Sequence, residues 1–202
     1  MSAGDRGLIV GVLLAAGAAR RFGGDKLMAR LADGRTVAEA ACASLITAVD
    51  QVIAVVPNQP GPLEECLRAA GAVTVRCAPG DAGMSASIAR GVGASADAAG
   101  WLIALGDMPL VPTTHHHLVA AALRSGAAIA APVHKGQRGH PVGFLARFGP
   151  ELRTLAGDEG ARALLARNRE ALTGIAVDSA DHWQDIDTPA DLATVCRQQR
   201  GG

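Results

Sequence analysis

Short runs of aliphatic residues alternate along the chain with alanine-rich segments in which apolar residues recur at helical spacing. Continuous apolar runs of this kind are typical of strands that are buried on both faces of a sheet. Strands separated by helices predict an α/β fold, with a doubly wound, mostly parallel sheet between layers of helices. The predicted strands are residues 8–14, 52–56, 73–76, 101–105, 127–131, 140–144 and 174–177. The predicted helices are residues 37–49, 63–70, 85–94, 114–124, 150–155, 161–167 and 189–198.

The length of the chain favours a single domain. Its 202 residues are close to the number that one hydrophobic core supports. The sequence contains no internal repeat, no block of like charges and no long linker. We therefore expect residues 1–202 to form one domain.

Charge and aromatic content exclude several classes of binding protein. The 19 Lys and Arg residues balance 19 Asp and Glu residues and form no basic stripe, so binding to nucleic acid or to a membrane surface is not expected. The longest apolar run, residues 7–19, is shorter than the ~20 residues that span a bilayer. The four cysteines are scattered without a CxxC pair, which favours free thiols. We expect a cytoplasmic protein.

The segment that follows the first predicted strand has the composition of a phosphate-binding loop. Ligands of such sheets bind beyond the carboxyl ends of the strands. The small residues Ala15, Ala16 and Gly17 would let an anion approach backbone N–H groups, and Arg21 and Lys26 add positive charge. The segment is neither a Walker A loop nor a GxGxxG dinucleotide loop. The alternative is a flexible surface loop with two solvated cations.

Two acidic segments could hold a metal ion. Asp107 directly follows the predicted strand 101–105, where a carboxylate opposite a phosphate loop suits Mg²⁺. The alternative for Asp107 is a turn or helix cap. Near the end of the chain, Asp185 and Asp187 alternate along a predicted short strand and so share one face. Asp187 or Thr188 could instead cap the helix that follows.

Two further signals are weaker. Ser85 lies at a predicted helix start, where it could contact a ligand or simply cap the helix. His115, His116 and His117 resemble a metal cluster, but consecutive residues on a helix point about 100° apart and cannot converge on one ion. We expect these three histidines to be a solvated helix start.

Four segments, in order along the chain, resemble motifs of one enzyme family. Residues 14–26 are similar to the LAAGxxxRxGxxK signature of nucleotidyltransferases that activate small molecules, and residues 106–109 (GDMP) resemble their metal-binding segment. Residues 139–141 (GHP) and 185–192 (DIDTPxDL) resemble later motifs of the molybdenum cofactor nucleotidyltransferases. The resemblance covers nearly the full length of the chain.

The resemblance implies a role for each matching residue. Arg21, Lys26 and Asp107 would be catalytic, and Asp107 and Asp187 would hold Mg²⁺, with Asp185 as second choice to Asp187. Arg138 and His140 would bind the acceptor; a lone histidine in a strand is more often structural. The implied nucleotide-binding residues are Leu14, Ala15, Ala16, Gly17, Arg21, Lys26, Ser85 and Asp107.

The resemblance also implies the substrates. The cytidylyltransferase branch fits best: it would transfer CMP from CTP to the phosphate of molybdopterin or molybdenum cofactor, for delivery to a xanthine-dehydrogenase-type enzyme or its accessory protein. The guanylyltransferase branch, which uses GTP, usually has LAGG where this chain has Leu14-Ala15-Ala16-Gly17, and Asn where Asp185 and Asp187 stand. A third hypothesis is a non-catalytic carrier of the cofactor.

Overall fold

The apolar runs form the strands of one mixed sheet in the computed structural model, which describes residues 7–17, 21–81 and 83–201. Within these residues the strands are β1 (Ile9–Leu14), β2 (Gln51–Val56), β3 (Val73–Arg76), β4 (Gly100–Leu105), β5 (Ile129–His134), β6 (Gln137–Arg138), β7 (Val142–Leu145) and β8 (Leu172–Ala176). The α-helices are α1 (Val37–Ile46), α2 (Pro62–Ala69), α3 (Gly83–Gly93), α4 (Thr113–Arg124), α5 (Gly149–Arg153), α6 (Arg162–Arg167) and α7 (Pro189–Gly201).

The sheet confirms the predicted α/β fold, with helices on both faces. Its strand order is β3-β2-β1-β4-β7-β5-β6, and β8 pairs with β5. Strands β1 to β4 pair parallel to one another, whereas β7 runs antiparallel between β4 and β5. A parallel connection needs a crossover of a dozen or more residues, and the chain between β5 and β7 is too short for one. The short hairpin strand β6 was not among the predicted strands.

Two apolar cores cover the two faces of the sheet. Alternate residues of β1 divide between them: Leu13 packs with α1 and α4 on one face, and Val12 packs with α3, α5 and α6 on the other. Both side chains are fully buried. This division explains the absence of an alternating polar pattern in the strand, since neither of its faces meets water.

The carboxyl ends of β1 and β4 are joined directly. The N–H of Gly106 donates to the carbonyl oxygen of Leu14 at 2.9 Å. A Cβ atom at position 106 would lie 2.9 Å from the same oxygen, so this close approach requires glycine. The loop after β1 and the acid after β4 are therefore held side by side.

The start of α4 differs from its prediction. His115 and His116 are buried, and the Nδ1 of His116 donates to the carbonyl oxygen of Pro112 at 3.2 Å. The expectation of a solvated helix start is therefore wrong for these two residues, because the first turn of α4 packs against the rest of the protein. His117 is exposed, as expected.

Two other expectations concern the cysteines and the membrane. All four cysteines are free thiols; Cys42 and Cys77 are buried and the other two are half-buried, as predicted. In the part of the chain that the structure describes, no helix combines the length and apolar character needed to cross a membrane.

Candidate active site

Lys26 lies at the centre of a group of charged side chains at the carboxyl edge of the sheet. It begins a short 3-10 helix, Lys26–Met28, which is capped by Asp25: the N–H of Leu27 donates to the Asp25 carboxylate at 3.2 Å. The Lys26 side chain is buried, and its Nζ donates to Asp107 Oδ2 at 2.7 Å and to Asp187 Oδ1 at 2.9 Å. Two acids that are far apart in sequence thus converge on one cation.

The two carboxylates keep Lys26 charged. Burial by itself lowers the pKa of the Lys26 ammonium, but the hydrogen bonds and negative charges of Asp107 and Asp187 outweigh burial, and the pKa is raised. The ammonium therefore remains protonated at neutral pH and offsets the repulsion between the two acids.

The segment before α7 brings Asp187 to this group. Ile186 is fully buried, and its N–H donates to the carbonyl oxygen of Asp107 at 3.0 Å. The segment is not assigned as a strand, contrary to the sequence prediction. Thr188 and Asp191 cap α7 reciprocally, because Thr188 N–H donates to Asp191 and Asp191 N–H donates to the Thr188 hydroxyl. Thr188 is thus the capping residue, and the Asp187 side chain instead bonds Lys26.

Asp185 and Arg21 lie beside the same group. Partial burial and the negative charges of Asp187 and Asp107 raise the pKa of Asp185. Arg21 forms an ion pair with Asp187, while 74% of its own side chain remains exposed. Arg21 can therefore move to a ligand at little cost in buried contacts. The structure brings together Arg21, Lys26, Asp107 and Asp187.

A cavity of about 380 Å³ opens between the loops that follow β1 and β2. The β1 loop contributes Ala15, Gly17 and Gly24, and the β2 loop contributes Pro57 and Gln59. This volume lies within the range of small-ligand sites. The β2 loop was missed by sequence reasoning, because it has no charged signature, although it follows a strand at the carboxyl edge.

Glu64 is the buried acid of this cavity. Its carboxylate accepts hydrogen bonds from Arg68, Arg76 and Thr74, and the residue is 4% exposed. The hydrogen bond from Arg76 is the main reason that the pKa of Glu64 is lowered, although burial acts in the opposite direction. Glu64 therefore stays ionised and fixes the start of α2 at the cavity wall.

The predicted phosphate-binding residues are placed differently from one another. Ala15 and Gly17 line the cavity, whereas Leu14 and Ala16 pack against the core under β1. The middle of the loop, residues 18–20, lies outside the described residues. The structure therefore places two of the four small-loop residues directly at the cavity.

The predicted helix-start serine is placed elsewhere. Ser85 is fully buried, and its hydroxyl donates to the carbonyl oxygen of Gly160 at 3.4 Å. This bond attaches the loop before α6 to α3. The Ser85 hydroxyl is thus engaged within the protein, and its contact with a nucleotide stays a prediction.

The GHP segment packs against the chain that leads to Asp187. A Cβ atom at Gly139 would lie 2.1 Å from the ring of Trp183, so the indole rests directly on the Gly139 backbone. The Trp183 Nε1 donates to His115 Nδ1 at 3.4 Å. Gly139 is therefore necessary for the fit between this segment and Trp183.

His140 and Arg138 lie on either side of Gly139. The Nδ1 atom of His140 is buried and has no hydrogen-bond partner among the described residues. Burial, reinforced by the positive charge of Arg138, lowers the pKa of His140 to about 4, so the ring is neutral at neutral pH. The charge of Asp107 also acts on this ring, in the opposite direction. Gly139, between the two predicted acceptor residues, contacts Trp183, which lies three residues before the Ile186 that bonds Asp107.

The arrangement can bind a polyanion next to a cation held by two carboxylates. In the described part of the chain, no group of three or more His, Cys, Asp or Glu side chains could hold a metal ion. A divalent ion at Asp107 and Asp187 would therefore need further oxygen ligands from a bound molecule or water, as Mg²⁺ usually does.

Known proteins are similar to this chain over most of its length. The purine catabolism protein PucB of Bacillus subtilis (strain 168) is 28% identical over 200 residues, which cover 94% of this chain and 96% of that protein. The crystal structure of an Rv0371c homologue from Mycobacterium sp. strain JC1 is 31% identical, with a TM-score of 0.79, and covers 94% of this chain and 98% of its own.

A third relative is Rv0371c of Mycobacterium tuberculosis H37Rv, solved as a complex with manganese. It is 27% identical, with a TM-score of 0.71, and the match covers 94% of this chain and 98% of that one. The model of the MobA-like NTP transferase domain matches residues 11–172, which include the β1 loop, Asp107 and the GHP segment. The chain therefore belongs to the MobA-like NTP transferase domain family.

Proposed function

We propose that this protein transfers CMP from CTP to the phosphate of molybdopterin or molybdenum cofactor, with Mg²⁺ as its metal and pyrophosphate as the second product. The proposal rests first on one observation: Lys26 joins Asp107 and Asp187 at 2.7 and 2.9 Å, beside a cavity at the carboxyl edge of the sheet. Family membership supports nucleotidyl transfer as the reaction class.

We call the cavity with Arg21 and Lys26 the nucleotide side of the site. Its cations supply charge for a triphosphate, and its small residues Ala15 and Gly17 allow close approach to the backbone. The choice of CTP over GTP rests on the Leu14-Ala15-Ala16-Gly17 sequence and on the acids at 185 and 187, which resemble the cytidylyltransferase branch.

We call Arg138, His140 and Trp183 the acceptor side. The proposed acceptor is a phosphate monoester, which is already ionised at neutral pH, so the reaction needs no strong general base. This fits the neutral state of His140, whose pKa burial lowers to about 4. His140 would orient the acceptor by a hydrogen bond at its unpartnered Nδ1.

The bond changes follow from this placement. An oxygen of the acceptor phosphate forms a bond to the α-phosphorus of CTP, and the bond from that phosphorus to the β-phosphate oxygen breaks. Pyrophosphate leaves with the electron pair of that bond. Lys26 and Arg21 would neutralise the charge on the departing phosphates, and the cavity would hold the nucleoside in position.

Asp107 and Asp187 fit a divalent metal. They are carboxylates from two separate segments that already share one cation, and the complex of Rv0371c with manganese gives a metal-binding relative. A bound Mg²⁺ would supply electrostatic stabilisation of the phosphate oxygens. We further propose that the chain acts as one domain in the cytoplasm and serves a molybdoenzyme of the xanthine dehydrogenase type or its accessory protein.

The decisive experiment measures pyrophosphate release with CTP, GTP, ATP or UTP, in the presence of Mg²⁺ and molybdenum cofactor. We expect release with CTP to exceed that with the other nucleotides. Preference for GTP would assign the chain to guanylyl transfer. No release above background, with cofactor still bound tightly, would contradict the transferase proposal and favour a carrier.

A control variant tests whether the loss of any carboxylate, or only the loss of one at the site, lowers activity. Asp50 lies at the opposite, amino edge of the sheet, where it accepts a hydrogen bond from the N–H of Ile9. Asp50→Asn should retain nucleotidyl transfer, whereas the same change at Asp107 should not.

A further inference from the structure

Arg138 is a cation without a partner in a half-buried position. It has no side-chain hydrogen bond and no ion pair with any residue in the ranges 7–17, 21–81 and 83–201. Most exposed arginines need no partner, but a half-buried guanidinium loses part of its hydration and gains nothing in return. The arrangement is one that an anionic ligand would stabilise.

The register of the β5–β6 hairpin determines where Arg138 projects. Arg138 pairs directly with Val133 across the antiparallel strands, so both side chains point to the same face of the sheet. Ile129 and Ala131 alternate with Val133 along β5 and share that face. Both pack in the same core as Leu164 of α6. Arg138 therefore projects from the face that α6 covers.

Arg162 is the first residue of α6, the helix that packs on this face. It lies three residues before Leu165, on the same side of the helix, and Leu165 is in the core beneath. Burial, and then the positive charge of Arg162, lower the pKa of Arg138, in agreement with the placement of both residues on this face of the sheet. Their mutual repulsion is unfavourable in the free protein.

No acid relieves this repulsion in the described part of the chain. Asp158 and Glu159 lie in the loop just before Arg162, yet neither forms an ion pair with it. The Asp158 carboxylate instead packs against Gly83 at the start of α3. The Glu159 carbonyl oxygen accepts the backbone N–H of Arg162.

We propose that Arg138 and Arg162 together bind a dianionic phosphate monoester, and that Arg162 is thereby a specificity-determining residue of the acceptor side. Guanidinium groups match phosphate oxygens bidentately, and one dianion neutralises two cations. The site is near the reacting groups, because Gly139, next to Arg138, packs against Trp183 of the segment that joins Asp107 and Asp187. The inference rests on the proposed function for its biological acceptor, but anion binding can be measured without turnover.

The test is calorimetric titration of the full chain, free of nucleotide, with methyl phosphate and with dimethyl phosphate. Methyl phosphate carries two charges above a pH of about 7, whereas the diester carries one. We expect methyl phosphate to bind more tightly than dimethyl phosphate. Arg138→Ala and Arg162→Ala should each weaken methyl phosphate binding by about tenfold or more. Arg162→Lys, which retains the charge but not the bidentate geometry, should have a smaller effect.

Two control variants locate the binding. Arg167 is on the same helix but pairs with Glu151 on the surface, so Arg167→Ala should leave binding unchanged. Arg21→Ala removes a cation of the nucleotide side and tests whether methyl phosphate binds there instead. The quenching or enhancement of Trp183 fluorescence gives a second readout, since Trp183 rests on Gly139 and the other tryptophan, Trp101, is fully buried.

The inference is overturned if methyl phosphate does not bind, if Arg162→Ala binds it like the native protein, or if only Arg21→Ala weakens binding. Thermal unfolding of each variant checks that the fold is retained. Failure of pyrophosphate release in the nucleotide assay, with methyl phosphate binding intact, would instead contradict the proposed function and leave this anion site standing.

Discussion

The nucleotide and acceptor sides of the site both contain cationic side chains, but these side chains differ in whether they are paired with acids. On the nucleotide side, Lys26 bonds two carboxylates, Arg21 pairs with Asp187, and Arg76 bonds Glu64. On the acceptor side, among the described residues, Arg138 has no ion pair and the buried Nδ1 of His140 has no hydrogen-bond partner. The positive charges of the nucleotide side are therefore paired with carboxylates, and those of the acceptor side are not.

This difference illustrates two kinds of anion-binding site. An internally paired site holds its geometry before the ligand arrives, and the ligand must compete with the existing pairs. An unpaired site gains more from the ligand but costs stability when it is free. Substitutions should therefore reduce stability mainly on the paired side and reduce ligand binding mainly on the unpaired side.

The largest effect is expected at Asp107, which bonds Lys26 of the nucleotide side and, through its carbonyl oxygen, Ile186 of the segment that follows Trp183. Asp107→Ala should lower the rate of CTP-dependent pyrophosphate release by about a thousandfold or more, because it removes a proposed metal ligand and one partner of Lys26. Circular dichroism should show an intact fold. Near-normal activity would contradict the metal assignment and the role of the paired group.

Removal of Lys26 should weaken triphosphate binding. Lys26→Met deletes the cation that neutralises both the triphosphate and the two carboxylates, so the Kd for CTP should rise by about tenfold or more. The chain contains one other lysine, Lys135, which lies in the exposed β5–β6 turn. Lys135→Met is the matched control and should bind CTP normally; an equal loss in both variants would point to a nonspecific charge effect.

Substitution of Gly139 should separate the two sides. Gly139→Ala forces the Trp183 ring away from the segment, because the added Cβ would overlap it. We expect the KM for the acceptor to rise about tenfold while the Kd for CTP stays unchanged. Gly93, with open space around its Cβ position, provides the control substitution Gly93→Ala. Equal losses of CTP and acceptor binding would show that the two sides are not independent.

The paired side should also give a pH signature in stability. The lowered pKa of Glu64 means that its ionised form is favoured in the folded state, so its contribution is present above its ordinary pKa of 4.5 and is lost as the pH falls through the folded-state value. Chemical unfolding should show that Glu64→Gln is less stable than the native protein at neutral pH. The difference should shrink in acid; a difference that is independent of pH would contradict the ionic role.

The smallest effect is expected for the stability of Arg162→Ala. This substitution relieves the repulsion on Arg138 and breaks no ion pair, so the free energy of unfolding should stay within about 0.5 kcal/mol of the native value and should not fall. Chemical unfolding without ligand measures it. A clear loss of stability would show that Arg162 has a structural partner and that the contrast between the two sides is wrong.

The parallel half of the sheet was predictable because β1, β2 and β4 each contain a continuous apolar run, and the edge strand β3 alternates valine with polar residues. The motif residues were predictable as neighbours for the same reason: the β1 and β4 ends are adjacent, so Lys26 and Asp107 follow strands that meet at one edge. The antiparallel position of β7 was not predictable, because a short hairpin strand such as β6 leaves little pattern in the sequence.

Which side chains pair with each other was harder to predict from the sequence than where the side chains lie. Nothing in the spacing of Glu64, Arg68 and Arg76 distinguishes a buried ionic group from a solvated helix face. The burial of His115 depends on Trp183, which lies 68 residues away in the chain. The placement of Arg138 and Arg162 on one face of the sheet likewise requires the fold, because no local pattern connects β6 to α6.

Lys26 also determines how any other cation can enter. Its ammonium already satisfies Asp107 and Asp187, so the carboxylates are held in place as soon as the chain has folded. A metal ion held by these two acids would therefore take the place of an internal counterion and would not fill an empty cage. Lys26 would keep its charge and, next to the cavity, would be available to pair with phosphate oxygens.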